Sequence, residues 1–177
     1  MNKLGEHIAV WSHRYQLRRG ERWQKRHDTL KKLFPRWRTP RRRKALIITF
    51  YVATTGFLLT NIAQIFFEPV AALNMLFAPP AMTALAVLRL SINQKDSAPL
   101  DFLDEYEYSV LTTWRSIAYW LLCFHVLFFT YALTFVGYAP VDSPTRWVTS
   151  ILLLNCSVFV LISSLPTIAY ALTFSGD

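Results

Sequence analysis

Hydrophobic and polar positions divide this chain into a polar first quarter and a remainder dominated by long apolar runs. Residues 45–67 and 69–88 carry no charge and are separated by Glu68 alone. A bilayer core of about 30 Å is crossed by roughly 20 helical residues, so each run is long enough to span a membrane. Neither run alternates like a barrel strand, and lipid offers no partner for free backbone groups, so both are predicted to be helices.

Two further apolar runs follow a polar link of residues 89–115. Residues 116–138 contain no Asp, Glu, Lys or Arg, and residues 147–174 are also free of these charges. The link between them, residues 139–146, contains Pro140 and Pro144 and predicts a loop. The predicted fold is all-α: an integral membrane four-helix bundle in residues 45–174, preceded by a basic cytoplasmic segment, residues 1–44, whose first 34 residues form a basic amphipathic helix on the cytoplasmic face.

Charge is distributed very unevenly between these two parts. The first 44 residues hold 15 of the 19 Lys and Arg residues and only three acidic residues, so they carry +12, whereas the other 133 residues carry −4. Short flanks rich in Lys and Arg remain in the cytoplasm, and four spans then leave only Arg146 outside. The expected location is the plasma membrane, with a multi-pass topology and both termini in the cytoplasm.

The basic segment is expected to lie in the lipid headgroup layer. Trp11, Tyr15 and Trp23 recur at helical spacing among Arg and Lys residues, a pattern typical of interfacial helices that bind anionic lipids. Nucleic-acid binding, which no motif supports, and a solvated basic tail are the alternatives. The residues predicted to contact headgroups are Arg36, Arg38, Arg41, Arg42, Arg43 and Lys44.

Three asparagines occupy one predicted depth in the membrane. Counted from the midpoints of their spans, Asn61, Asn74 and Asn155 each lie about 7 Å toward the outer leaflet. An amide in hydrocarbon costs several kcal/mol without a partner, so these side chains are expected to meet as an intramembrane polar layer. The two interpretations are hydrogen bonding that joins helices and a polar pocket for a substrate.

An acidic group precedes the third span and comprises Asp101, Asp104, Glu105 and Glu107. Negative side chains are favourable at a helix N-terminus, so the group predicts the start of a helix that continues into the span. These residues also lie on the same side of the membrane as the basic segment. Docking of that segment onto the acidic group is one interpretation, and a solvated charged turn is the other.

Sequence motifs for chemistry are missing from the chain. It contains no Gly-rich phosphate loop, no H-E-x-x-H and no G-x-S-x-G. Cys123 and His125 are two residues apart, which a helix separates by about 200°, so they do not have the spacing of a zinc site. His125 is the one histidine within a span and is expected to be a packing residue or, alternatively, a titratable group of a transport path. The sequence therefore predicts a protein that is not an enzyme and that binds no cofactor or metal.

The polar link carries a resemblance to a group of known proteins. Leu88-Arg89-Leu90, Lys-Asp-Ser-Ala-Pro at 95–99, Leu-Asp-Glu-Tyr-Glu at 103–107 and Arg-Ser-Ile-Ala-Tyr at 115–119 resemble a pattern in uncharacterised small multi-pass membrane proteins of actinobacteria. The resemblance covers residues 88–120 and departs from the pattern at residues 110–114, where those relatives tend to carry several basic residues. It implies an actinobacterial plasma-membrane protein, and small proteins of this kind occur as accessory subunits of respiratory and other membrane complexes.

These observations favour a non-enzymatic integral membrane subunit that stabilises or assembles a larger membrane protein complex, with a respiratory complex as the expected partner. Its expected partners are anionic membrane lipids and other integral membrane subunits, with no nucleic acid. The alternatives are a small oligomeric transporter or channel and an immunity-type or regulatory membrane protein.

Overall fold

Long α-helices account for nearly all of the described structure. A computed structural model describes residues 20, 23–25, 29, 39–99, 102–138 and 143–174. Within these residues the long helices are α1 (Pro40–Phe66), α2 (Asn74–Ser91), α3 (Glu105–Tyr138) and α4 (Pro144–Thr173), and two short 3-10 helices span Glu68–Leu73 and Lys95–Ser97. In the part of the chain that the structure describes, four helical segments are long and apolar enough to cross a membrane, the second of them including the turn that begins at Pro69. The predicted all-α, four-helix membrane architecture is confirmed.

Two of the helices begin well before the apolar runs that predicted them. α1 begins at Pro40, whose fixed φ angle and missing N–H group suit the first turn of a helix, so Arg41–Lys44 are helical. α3 begins at Glu105 under a capping box: the Glu107 N–H donates to Asp104 Oδ1 at 2.6 Å, and the Asp104 N–H donates to Glu107 Oε2 at 3.4 Å. The acidic group and the third span therefore belong to one helix of 34 residues.

Buried residues recur every seven positions along the inner faces of the helices. On α4 this repeat consists of small residues, which are fully buried, and on α1 it includes Asn61. A seven-residue repeat of inward-facing residues favours helices that cross at about 20°, and small side chains let their backbones approach closely. The repeat is formed by Ile47, Thr54 and Asn61 on α1 and by Ser150, Ser157, Ser164 and Ala171 on α4.

The main helix contacts follow the order α2, α1, α4, α3. α1 packs against both α2 and α4, and α4 packs against α3. Between α1 and α2, Gly56 leaves room for the ring of Phe77, since a Cβ atom at Gly56 would lie 2.6 Å from the ring atoms Cδ1 and Cε1. α3 packs mainly against α4, and much of its surface is exposed.

Little of the predicted basic segment lies within the described residues. Gly20, residues 23–25 and Thr29 are helical, and the ring of Trp23 lies 5.1 Å from the ring of Phe102 in the link before α3. The predicted headgroup residues Arg36 and Arg38 and the predicted docking residue Asp101 lie outside the described residues.

Candidate functional site

The end of the bundle where α1 begins and α4 ends, called the charged end below, holds charged side chains buried between helices. Asp96, in the 3-10 turn after α2, is buried, and its Oδ2 atom accepts hydrogen bonds from Arg89 Nε at 2.8 Å and from Thr167 Oγ1 at 2.7 Å. Arg115 of α3 donates to the backbone carbonyl oxygen of Asp96 at 2.6 Å. One short turn is thereby joined to α2, α3 and α4.

Glu107 is the second centre of the charged end. Its Oε1 atom lies 2.5 Å from Lys95 Nζ and accepts a hydrogen bond from the hydroxyl group of Tyr170. A carboxylate buried between helices is costly unless it is paired and hydrogen-bonded, and these contacts supply both. The structure therefore corrects the prediction that Glu107 is available to dock the basic segment, because this side chain faces the bundle interior. Asp104 caps α3, and Glu105 is exposed.

Arg43 connects the ends of two other helices. Its Nη1 atom donates to the carbonyl oxygen of Phe174 at 2.9 Å and its Nη2 atom to that of Ser91 at 3.3 Å, at the C-terminal ends of α4 and α2. A cation is favourable there because the last carbonyl groups of a helix lack intrahelical partners. Arg43 is buried, so its predicted contact with lipid headgroups is wrong, whereas the predicted headgroup residues Arg41, Arg42 and Lys44 are exposed.

A polar network lies between α1, α2 and α4 near their opposite ends. Thr60 Oγ1 donates to Asn74 Oδ1 at 2.5 Å, and Asn74 Nδ2 donates to Asn61 Oδ1 at 3.0 Å and to Gln64 Oε1 at 3.1 Å. Asn61 Nδ2 then donates to Ser157 Oγ at 3.3 Å, and Ser157 Oγ donates to the carbonyl oxygen of Leu153 at 2.9 Å. All five polar side chains are buried. The network joins three helices through directed hydrogen bonds, which suits helix association in lipid.

The predicted asparagine layer is therefore only partly assembled. Asn61 and Asn74 bind each other, but on α4 the partner of Asn61 is Ser157, and Asn155 is half-buried with no hydrogen bond to the network among the described residues. Two residues along a helix turn a side chain by about 200°, so Asn155 and Ser157 cannot share one face. The seven-residue spacing of Ser150, Ser157 and Ser164 is the sequence signal that could have identified the inner face of α4.

Within the third span, His125 packs against aromatic surface. It is buried, its ring lies 4.5 Å from that of Phe129 in an edge-to-face arrangement, and its Nε2 atom has no hydrogen-bond partner among the described residues. Among those residues, no group of three or more His, Cys, Asp or Glu side chains could hold a metal ion. Cys123 and Cys156 are both free thiols.

α3 presents an exposed row of large apolar side chains, called the α3 seam below. Its members follow one another at alternating steps of four and three residues, and each is between 40% and 89% exposed. This spacing is the 3.5-residue repeat with which one helix packs its side chains between those of another. The α3 seam consists of Ile117, Leu121, Phe124, Phe128, Tyr131, Phe135 and Tyr138.

Comparisons of this chain with protein-family models, with curated proteins and with solved structures found no match.

Proposed function

We propose that this protein is a non-enzymatic integral membrane subunit that stabilises or assembles a larger membrane protein complex, and that the α3 seam contacts the partner. The observation that carries the proposal is the repeat of the seam. Lipid acyl chains accept any apolar surface, whereas a 3.5-residue repeat is the requirement of helix-to-helix packing. The same heptad spacing is used inside the bundle, where buried residues recur every seven positions on α1 and α4.

Tyr131 supports protein rather than lipid as the occupant of the seam. It lies four residues, or about 6 Å, beyond the middle of the apolar run 116–138 and is 75% exposed. Helical side chains generally lean toward the N-terminus of their helix, and for Tyr131 that direction leads toward the membrane centre. No hydrogen bond joins this hydroxyl group to another described residue, and hydrocarbon offers none. A helix of a neighbouring protein could supply the acceptor.

Site-specific photo-crosslinking in intact membranes tests this proposal. A photoreactive phenylalanine at Phe128 should crosslink to another integral membrane protein. Val126 is the matched control because it is similarly exposed, 58% against 68%, but points about 200° away on the same helix. A protein crosslink from Phe128 with only lipid adducts from Val126 is the expected result. Lipid adducts from both positions would overturn the proposal, and a crosslink to a second copy of the chain would replace it with a homo-oligomer.

The orientation proposed for this subunit places the charged end in the cytoplasm of the cell, with the protein in the plasma membrane. The charge asymmetry supports it, since all Lys and Arg residues except Arg146 then lie on the cytoplasmic side. In a chain whose two native cysteines have been replaced, Asp142→Cys should react with an impermeant thiol reagent outside intact cells, and Glu105→Cys should not. The reverse labelling would contradict this orientation. Glu105 is a suitable inner position because its side chain is exposed at the charged end.

The exposed basic residues at the start of α1 extend the proposal to lipid. Arg41 and Lys44 are exposed on the first turns of a helix that enters the apolar run directly, so they lie at headgroup depth. Each basic residue near an anionic leaflet contributes about 1 kcal/mol to membrane attachment. The sequence resemblance of residues 88–120 to small actinobacterial membrane proteins makes a respiratory complex the first partner to test.

A further inference from the structure

A polar groove opens at the end of the bundle opposite the charged end. Its volume is about 520 Å³, and it is lined by Gln64, Ala71, Ser143, Thr145, Arg146 and Thr149. Among these described lining residues there is one cation and no carboxylate. The groove lies directly beside the polar network, because Gln64 belongs to both.

The polar network determines which end of the Gln64 amide faces the groove. Gln64 is only 7% exposed, and its Oε1 atom accepts the hydrogen bond from Asn74 Nδ2. Its Nε2 atom has no hydrogen-bond partner among the described residues, so the group that Gln64 offers to the groove is a donor. The three amide oxygens of the network, on Asn61, Gln64 and Asn74, each accept a hydrogen bond from another residue of the network.

Arg146 adds a positive charge on the other wall. It lies in the first turn of α4, is half-buried, and has a buried Nε atom with no hydrogen-bond partner among the described residues. The guanidinium group offers donors only, in a fork that fits two oxygens of one anion. The N-terminus of α4 adds partial positive charge, and the Ser143 side chain makes no capping hydrogen bond there.

We propose that this groove binds a phosphate group, with Arg146 and the Gln64 amide nitrogen as its principal donors. The depth of the groove fits this ligand, because Arg146 immediately precedes the apolar run that begins at Trp147 and therefore lies at the level of lipid phosphates. A phospholipid headgroup and a soluble phosphate compound present the same oxygens to these donors. The site is independent of the α3 seam and lies at the other end of the bundle from the basic residues of α1.

Ligand-induced stabilisation of the purified full chain in detergent provides the test. Thermal unfolding is followed during titration with inorganic phosphate, and separately with short-chain phosphatidylglycerol, against tetramethylammonium chloride at equal ionic strength. Either phosphate probe should raise the midpoint of unfolding to a plateau. Arg146→Gln should weaken the apparent affinity at least tenfold, Arg146→Lys should weaken it less, and Thr113→Ala, at an exposed position of α3 far from the groove, should leave it unchanged.

The two phosphate probes also separate the possible sources of the ligand. A plateau with inorganic phosphate points to a soluble compound, and a plateau with the lipid alone points to a headgroup; either result supports the site if it depends on Arg146. Equal affinity in wild type and Arg146→Gln would overturn the proposal, as would a response to neither probe. If Arg146→Gln does not fold, Gln64→Glu places a negative charge in the groove and should abolish the response, so binding that survives this change would also overturn it.

Discussion

Replacing Asn74 by leucine should lower the free energy of unfolding by about 1 to 3 kcal/mol. The change removes both hydrogen bonds that Asn74 Nδ2 donates and leaves Asn61 Oδ1 and Gln64 Oε1 buried without their donor. The hydrogen bond from Thr60 to Asn74 Oδ1 is also lost, but the Thr60 hydroxyl group keeps an acceptor in the carbonyl oxygen of Phe57 at 2.9 Å, so it is not counted. Side-chain hydrogen bonds within membranes contribute about 0.6 kcal/mol on average and up to about 1.7 kcal/mol, so two of them give the stated range. Leucine has a similar volume, so the loss of hydrogen bonds, and not a cavity, dominates the effect.

Double-mutant cycles separate this contact from general destabilisation. Asn74→Leu combined with Asn61→Leu should cost less than the sum of the two single changes, with a coupling energy of about 0.6 to 1.7 kcal/mol, because the two amides bind each other. Asn155→Leu is the control. It should combine with Asn74→Leu additively to within about 0.5 kcal/mol, since no hydrogen bond joins those residues.

The assay is equilibrium unfolding of the full chain in mixed micelles, followed by steric trapping or by titration with a denaturing detergent. Additive losses for Asn61 and Asn74 would refute the network as described. Coupling between Asn74 and Asn155 equal to that between Asn74 and Asn61 would show that α4 presents a different face to α1.

Two further predictions concern the packing of the bundle. Gly56→Ala should destabilise the protein by about 1 to 3 kcal/mol in the same unfolding assay, because the new Cβ atom would overlap a Phe77 ring, whereas Gly137→Ala, with open space around it, should be neutral or slightly stabilising. Equal effects of the two changes would contradict the close approach of α1 and α2. Arg43→Leu should cost about 1.5 to 3 kcal/mol because it removes charged hydrogen bonds to the ends of α2 and α4, while the exposed Arg41→Leu should change stability by less than about 0.5 kcal/mol. An effect of Arg43→Leu no larger than that of Arg41→Leu would contradict the role of Arg43 in joining those helices.

The length of the apolar runs was sufficient to predict the four helices, but not where they begin. Residues 116–138 predicted a span because they carry no charge, yet the helix that contains it begins at Glu105, within the acidic group whose charges predicted a helix start. Its capping box stabilises a helix start in the polar link, where hydropathy gives no signal. Similarly, Pro40 starts α1 ahead of its apolar run because proline is favourable in the first turn.

Depth along a span can be counted from sequence, but rotation about the helix axis cannot be obtained from depth alone. The count placed Asn61, Asn74 and Asn155 at one level, and two of them bind each other. Asn155 does not bind them, because the inner face of α4 is formed by its buried serines, which include Ser157. Only the heptad spacing of those serines carries this rotational information.

Long-range partners explain the other differences at the charged end. Arg43 belonged to a run of four basic residues, and nothing local distinguished it from its neighbours. Its acceptors, the carbonyl groups of Ser91 and Phe174, lie 48 and 131 positions away along the chain. Glu107 likewise faces inward because Tyr170 of α4 reaches it, a contact that depends on how α3 and α4 pack.

The α3 seam could not be identified from the sequence either. Its steps of four and three are present in the sequence, but all faces of α3 are apolar enough to obscure them. In the structure, α4 covers a face of α3 that is turned about 100° from the seam and includes Ala118 and His125, and it leaves the seam exposed.

The state of the protein after mild detergent extraction tests the central claim most directly. Native mass spectrometry of the wild-type chain should find it in a complex with at least one different membrane protein. A chain with Phe124→Ala, Phe128→Ala and Tyr131→Ala should be lost from that complex, because the changes truncate the middle of the α3 seam, while Val126→Ala should remain. A wild-type chain that is monomeric, or that associates only with copies of itself, would contradict the assignment as a subunit of a larger complex.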